Sequence, residues 1–186
     1  MDKKIYIFLA DGFEEIEALG VVDVLKRAEL QVITVGINGK KSQLGAHNIK
    51  VEADILFENA DFSDGAAFIL PGGMPGSLNL TKHSGLRKLL QEKNSEGKII
   101  CAICAAPMAL SQAGLLKNKT FTMYPGMTAY LADGDVPTTK GVETDGNIIT
   151  GKGPGLFFDF ACTIASKLGC SQQVEKLIKA MFWGEK

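Results

Sequence analysis

The sequence predicts an α/β fold built on a mostly parallel sheet with helices on both faces. Short, continuous apolar runs recur along the chain, as expected of strands buried on both sides. Stretches with apolar residues at helical spacing separate them, and strand–helix–strand alternation implies parallel pairing. The 186 residues carry 46% apolar and 22% charged side chains, with no repeat, low-complexity tract or linker. That is ordinary for one globular unit, so a single domain over 1–186 is expected.

The elements follow in order. "IYIFLA" (5–10) reads as the first strand, and "GFEEIEALGVVDVLKRA" as a helix with Ala18, Val21, Val22 and Leu25 on its apolar side. "LQVITVGI" (30–37) is the next strand, and "NGK" (38–40) carries a hairpin-turn signal. "AAFILPGG" (66–73) reads as a strand running into a glycine loop. A helix over 82–96 is expected, capped by Thr81 and stopped by Gly97. "KIICAI" is a further buried strand, and "APMALSQAG" a short helix ended by Gly114. "GVETDGNIIT" (141–150) predicts a hairpin with Asp-Gly at its turn. Two helices close the chain. One carries Phe157, Ala161, Ile164, Ala165 and Leu168 on one stripe; the other, capped by Ser171, carries Val174, Leu177, Ile178, Met181 and Phe182.

Composition excludes several function classes. The formal net charge is −1 and no basic run stands out, so there is no electrostatic footprint for nucleic acid. No apolar segment is long enough to span a bilayer, and the N-terminal apolar stretch is too short for a secretion signal. The expected setting is the cytoplasm, where Cys101, Cys104, Cys162 and Cys170 stay mostly reduced.

Ligands in such folds bind beyond the carboxyl ends of the strands, which marks the chain after Ala10, Leu70 and Ile103. Cys101 and Cys104 are spaced C-x-x-C. No second pair completes a zinc site, His47 and His83 are distant in sequence, and a thioredoxin-type pair would open a helix directly. Cys101 is best read as a buried strand residue. Cys104 falls where strand turns into helix, among Ala102, Ala105 and Ala106. That suits a nucleophile elbow, in which the N–H groups of the helix start favour a thiolate. A small residue filling space at a strand end fits the same spacing. Gly72 and Gly73 in "LPGGMPG" can aim N–H groups at a ligand, or simply make a turn. Acidic residues crowd "DGFEEIEA"; Glu17 continues an apolar stripe through Val21, Val24 and Ala28, but Glu14 aligns nearly as well with Ala18 and Val21. A desolvated carboxyl there tends to hold a proton that it can donate to a thiolate. "GNIITGK" (146–152) imitates a phosphate loop, but Gly153 stands where a Ser or Thr would hold magnesium. Trp183 and Phe182 are read as helix packing, and Met123, Met127 and Met181 as core filling.

Taken together, "ADGFEEIEA", "DVLKRA", "FILPGGMPGSLNL", "AICAAP" and "GKGPGLFFDFA" resemble the ThiJ/PfpI superfamily, in the branch of the Parkinson's-disease-linked protein deglycase, almost from end to end. The resemblance implies a flavodoxin-like three-layer sandwich with a nucleophile elbow, and a homodimer. It implies Cys104 as the reactive cysteine and Glu17 as the carboxyl that contacts it. Gly72, Gly73 and the elbow residue Ala105 would form an oxyanion hole, and Gly153 and Pro154 would line the site near the dimer contact. Tyr124 stands where the human-type branch has a histidine, and Ala105 where peptidase-like members have one, which weakens a Cys–His protease. His47 falls where relatives carry an arginine, a candidate second-subunit contact; His83 is assigned to a helix surface.

The implied activity is a cofactor-independent, metal-free thiol enzyme of the glyoxalase or deglycase type, acting on small 2-oxoaldehydes or glycated side chains. The rival is an oxidative-stress sensor or chaperone that uses an oxidisable Cys104. An amidase or peptidase comes third. No nucleic-acid or membrane partner is expected.

Overall fold

The computed structural model describes residues 4–185. They form strands β1 (Lys4–Leu9), β2 (Gln31–Gly36), β3 (Ser42–Leu44), β4 (Lys50–Glu52), β5 (Ile55–Leu56), β6 (Gly65–Leu70), β7 (Ile99–Ile103), β8 (Val142–Asp145) and β9 (Ile148–Gly151). The helices are α1 (Val21–Arg27), α2 (Gly76–Lys82), α3 (Ser84–Ser95), α4 (Pro107–Gln112), α5 (Phe157–Lys167) and α6 (Ser171–Ala180). Seven strands make one sheet in the order β5-β2-β1-β6-β7-β9-β8, parallel except where β8 meets β9. This is the predicted α/β sandwich.

Alternation along β1 explains the two buried layers. Ile5, Ile7 and Leu9 point to one face and join Val21 and Leu25 of α1, Phe160 and Ile164 of α5, and Leu177 of α6. Tyr6, Phe8 and Ala10 point to the other and join Leu80 of α2, Leu86 and Leu90 of α3, and Leu110 of α4. Cys101 lies on the α5 side, fully buried in β7. The chain leaves β1 to build β2 on one side, then returns to place β6 on the other. The order therefore reverses between β1 and β6, where their carboxyl ends open a crevice.

Several local expectations change. The turn at Asn38–Gly39 forms, with both residues at positive φ (58° and 68°), but it closes no hairpin with β2. β3 pairs antiparallel with β4 instead, while β2 stays in the main sheet beside β1 and β5. The expected helix over 82–96 is α3, which begins two residues later at Ser84, and the preceding α2 (Gly76–Lys82) is a helix the sequence reading missed. His83 adopts an extended backbone (φ −75°, ψ 101°) between α2 and α3, and its Nδ1 accepts the Leu86 N–H at 3.0 Å. His83, not Thr81, is thus the cap. Its ring meets Phe57 edge-on at 4.6 Å, so it is a half-buried packing residue rather than a free surface group. Gly97 (φ 72°) does end α3. The β8–β9 hairpin forms with Gly146 at φ 63°, in the first position of a two-residue turn. Ser171 is the first residue of α6 rather than its cap; Cys170 occupies the cap without a side-chain bond. Phe182 is 70% exposed, so it is not helix packing.

Trp183 does pack. It stacks on Phe158 with ring centroids 4.2 Å apart and meets Phe157 edge-on at 5.7 Å. The C-terminal end is thereby fastened to the first turn of α5. Phe158→Ala removes a fully buried ring from this contact. It should lower unfolding free energy by about 3–5 kcal/mol in urea titrations. It should also shift the emission of Trp183, the sole tryptophan, to the red. An unshifted spectrum would show that Trp183 is held by something other than Phe158.

Candidate active site

All three positions marked after Ala10, Leu70 and Ile103 meet at the carboxyl edge of the sheet. β1 runs into residues 11–15, β6 into 71–75, and β7 into Cys104. The first two segments lie backbone against backbone: the Glu14 N–H donates to the Gly72 C=O at 2.9 Å, and the Gly76 N–H to the Gly12 C=O at 3.2 Å. A Cβ on Gly73, whose φ is +88°, would run into the backbone of Gly12, Phe13 and Glu14. Only glycine fits there.

Cys104 sits at φ 63°, a left-handed conformation that costs an L-residue about 1–2 kcal/mol. Two backbone hydrogen bonds hold it. Its N–H donates to the Gly151 C=O of β9, and its C=O accepts the Tyr124 N–H, both at 2.8 Å. Pro107 then opens α4, where its missing N–H is no loss. The result is a sharp strand-to-helix elbow with the thiol partly exposed.

Glu17 is fully buried and Glu14 only partly so. The separation comes from a π-helical turn, Ile16–Gly20, which precedes α1 and widens the spiral by one residue. Glu17 Oε2 accepts the Gly72 N–H at 2.8 Å, and the carboxyl is hydrogen-bonded to the Cys104 thiol. Its Oε1 has no hydrogen-bond partner among the described residues. Burial without a counter-ion raises the Glu17 pKa to about 7, against the pull of Cys104 and Gly72. A neutral carboxyl removes the cost of burying the charge, which is why the proton is held.

Burial, and next the charge of an ionised Glu17, push Cys104 up to about 12. The N–H groups of Gly73 and Ala105 donate to the sulfur and pull the other way, but they do not win. The helix start therefore does not by itself make a thiolate, contrary to the sequence expectation. Glu17 and Cys104 titrate as a pair. The first proton leaves near the lower value, and the one that remains can sit on sulfur or on carboxyl. With the proton on Glu17, the sulfur is a thiolate held by two N–H groups.

Of the predicted site residues, Glu17, Gly72, Gly73, Cys104 and Ala105 come together. Gly72 has a different task from the one expected: its N–H is occupied by Glu17, which leaves Gly73 and Ala105 facing the sulfur. Tyr124 is 47% exposed beside Cys104, with its ring against Gly153; Pro154 begins the following 3-10 turn. His47 lies outside this group. Its Nδ1 pairs with Glu15 Oε2 at 2.8 Å, while Glu15 Oε1 accepts the His47 N–H at 2.7 Å. Sequence reading passed over Glu15, which fastens the β3–β4 hairpin to the π turn. Glu14, Glu15 and His47 hold ligand-type atoms within 4.8 Å of one another, but the hairpin bonds already engage Glu15 and His47. Asp11 was also passed over. It accepts the Leu44 N–H and pairs with Lys40, both at 2.9 Å. No helix among the described residues is long and apolar enough to cross a membrane.

The model of the DJ-1/PfpI family matches residues 3–167. Protein dj-1beta of Drosophila melanogaster is 34% identical over 182 residues, 97% of each chain. Its crystal structure superposes with a TM-score of 0.93, covering 98% of both chains at 33% identity. A DJ-1 superfamily protein from Salmonella typhimurium, solved as a cysteine-to-alanine mutant, gives 0.92 at 32% identity, covering 97% of this chain and 98% of that one. The Caenorhabditis elegans protein named glutathione-independent glyoxalase DJR-1.2 is 29% identical over 168 residues, 90% of this chain and 89% of that one.

The raised Glu17 pKa makes stability depend on pH. The folded value lies above the ordinary 4.5, so the native state holds a proton that the unfolded chain has lost. The stability that Glu17 contributes is fullest below pH 4.5 and is lost as pH rises through about 7. The loss approaches roughly 3 kcal/mol. Glu17→Gln should flatten this slope and be more stable than wild type at pH 8 in denaturant titrations. Alkylation of Cys104 by iodoacetamide, read by peptide mass, should rise with a midpoint near 7 and lose that midpoint in Glu17→Gln. A midpoint unmoved by the substitution would break the pairing of the two groups.

Proposed function

The chain belongs to the DJ-1/PfpI family, and on that premise we propose that it is a glutathione-independent enzyme of the glyoxalase or deglycase type. One observation carries the proposal: a buried, uncompensated carboxyl bonded to the thiol of a strained elbow, with two backbone N–H groups on the sulfur. It needs no cofactor, and the thiol that glutathione would otherwise supply is Cys104.

Cys104 sulfur adds to the aldehyde carbon of methylglyoxal, and the oxygen takes the proton of the pair, giving a hemithioacetal. N–H groups near Gly73 and Ala105 stabilise the oxygen while it is charged. Glu17, now a carboxylate, removes the proton from the former aldehyde carbon to give an enediol and returns it to the neighbouring carbon, while the hydroxyl proton passes, through water, to the neighbouring oxygen. This converts the hemithioacetal to a thioester of lactate. Water hydrolyses the thioester, releasing lactate and the free thiol. Net, methylglyoxal and water become lactate, with one carbon oxidised and its neighbour reduced. The relative named as a glutathione-independent glyoxalase supports this reading. On a glycated amine the Cys104 sulfur would displace the side-chain amine from the hemiaminal carbon, the amine leaving with the proton of the pair, and the same hemithioacetal would result.

Tyr124 has an exposed ring at the place of the family histidine, and a phenol offers a hydrogen-bond donor where the imidazole would offer a base. Glu17 therefore carries the proton transfer. His47 is paired with Glu15 and His83 caps α3, so neither supplies a Cys–His dyad. A relative from Toxoplasma gondii has been solved in an oxidised form, which favours a second reading in which Cys104 also records peroxide. A homodimer in the cytoplasm completes the proposal, with His47 reaching the second subunit.

Methylglyoxal consumption with lactate formation, in the absence of glutathione, tests the activity. Cys104→Ser and Glu17→Gln should each lower kcat at least 100-fold while circular dichroism stays native. Lactate formed at the wild-type rate by Glu17→Gln would remove the carboxyl from the mechanism.

A further inference from the structure

Beside the elbow lies a hollow of about 190 Å³. Liquid water occupies about 30 Å³ per molecule, so the hollow takes roughly six heavy atoms. That exceeds what the aldehyde end of a three-carbon substrate needs. Met123, Tyr124, Pro125 and Pro137 give it apolar walls, and Lys152 supplies its only charge. No acidic side chain lines it.

The walls of the hollow adjoin the groups that hold Cys104. Tyr124 donates its N–H to the Cys104 C=O, and Lys152 directly follows Gly151, which accepts the Cys104 N–H. The Lys152 ammonium donates to the Thr139 C=O at 3.0 Å and has no carboxylate partner among the described residues. An ammonium has three donors, so this contact leaves two for a ligand. A lone cation on an otherwise apolar and hydroxyl-lined hollow selects for a terminal anion.

We propose that the hollow between Tyr124 and Lys152 is a subsite for an anionic terminus on the carbonyl substrate, and that Lys152 sets a preference for 2-oxoaldehydes bearing a carboxylate a few atoms from the carbonyl. This rests on the reading of Cys104 as the group that meets the carbonyl. Tyr124 covers the methylene chain, and Lys152 receives the carboxylate.

The test does not require turnover. Levulinate carries a ketone and a carboxylate, and 2-pentanone is its neutral counterpart. Each is titrated for its ability to slow iodoacetamide labelling of Cys104. In wild type, levulinate should protect at a concentration at least tenfold lower than 2-pentanone. The difference should shrink with added salt, because an exposed cation is screened. It should vanish in Lys152→Ala and persist in Lys152→Arg. Equal or absent protection by the two compounds in wild type would overturn the subsite, as would a levulinate preference that survives Lys152→Ala. A wild type that shows the preference but makes no lactate from methylglyoxal would count against the activity and leave the subsite standing. In an active enzyme, kcat/KM for 4,5-dioxopentanoate should exceed that for methylglyoxal about tenfold, and Lys152→Ala should erase that ratio.

Discussion

Everything at the reactive edge depends on two stretches of main chain that touch with nothing between them. Residues 11–14 and 72–76 exchange backbone hydrogen bonds at 2.9 and 3.2 Å. Their approach leaves no room for a side chain at Gly73. The same approach turns the Gly72 N–H toward Glu17 and the Gly73 N–H toward the sulfur. A β-carbon on Gly73 would separate the segments and undo all three relations together. The carboxyl, the thiol and the donor pair are therefore one mechanical object, not three neighbouring features.

That object stores unfavourable free energy in two forms. Cys104 holds a backbone angle that L-residues avoid, and Glu17 sits in the interior with an oxygen that nothing in the described chain bonds. Both are sustained by the surrounding packing of β1, β6 and β7, whose inward residues are fully buried. The sheet is rigid where the site is strained. This division is expected when local rules are broken for chemistry and kept everywhere else.

Much of this was legible without coordinates. The continuous apolar runs located β1, β2, β6 and β7, because a strand buried on both faces has no polar side to show. Small residues around Cys104 marked the elbow. What escaped was set by tertiary context. The π turn shifts phase by one residue, so a regular helical period could not separate Glu14 from Glu17. α2 is only seven residues long and starts directly off the glycine loop, so it does not read as a helix, and α3 reads as beginning two residues early with Thr81 as its cap in place of His83. The turn at Asn38–Gly39 was correctly placed but led to a partner strand farther along, since turn chemistry fixes a bend and not a pairing. Glu15 looked like one more acidic surface residue. Only the fold brings the His47 and Ile49 amides to it. Even the thiolate favoured by a helix start depended on what else was near: burial of the thiol, and after it the carboxylate of Glu17, outweigh two N–H groups.

The bonds that fix the elbow also set when it comes into existence. The N–H of Cys104 is held by Gly151, and its carbonyl by Tyr124. During synthesis the cysteine leaves the ribosome well before residue 151 does, so the emerging chain carries an ordinary, relaxed thiol. The left-handed turn has its N–H partner only when β9 lies beside β7. A chain in which β9 has left β7 thus keeps the thiol but loses the elbow, and with it the geometry that pairs Cys104 with Glu17.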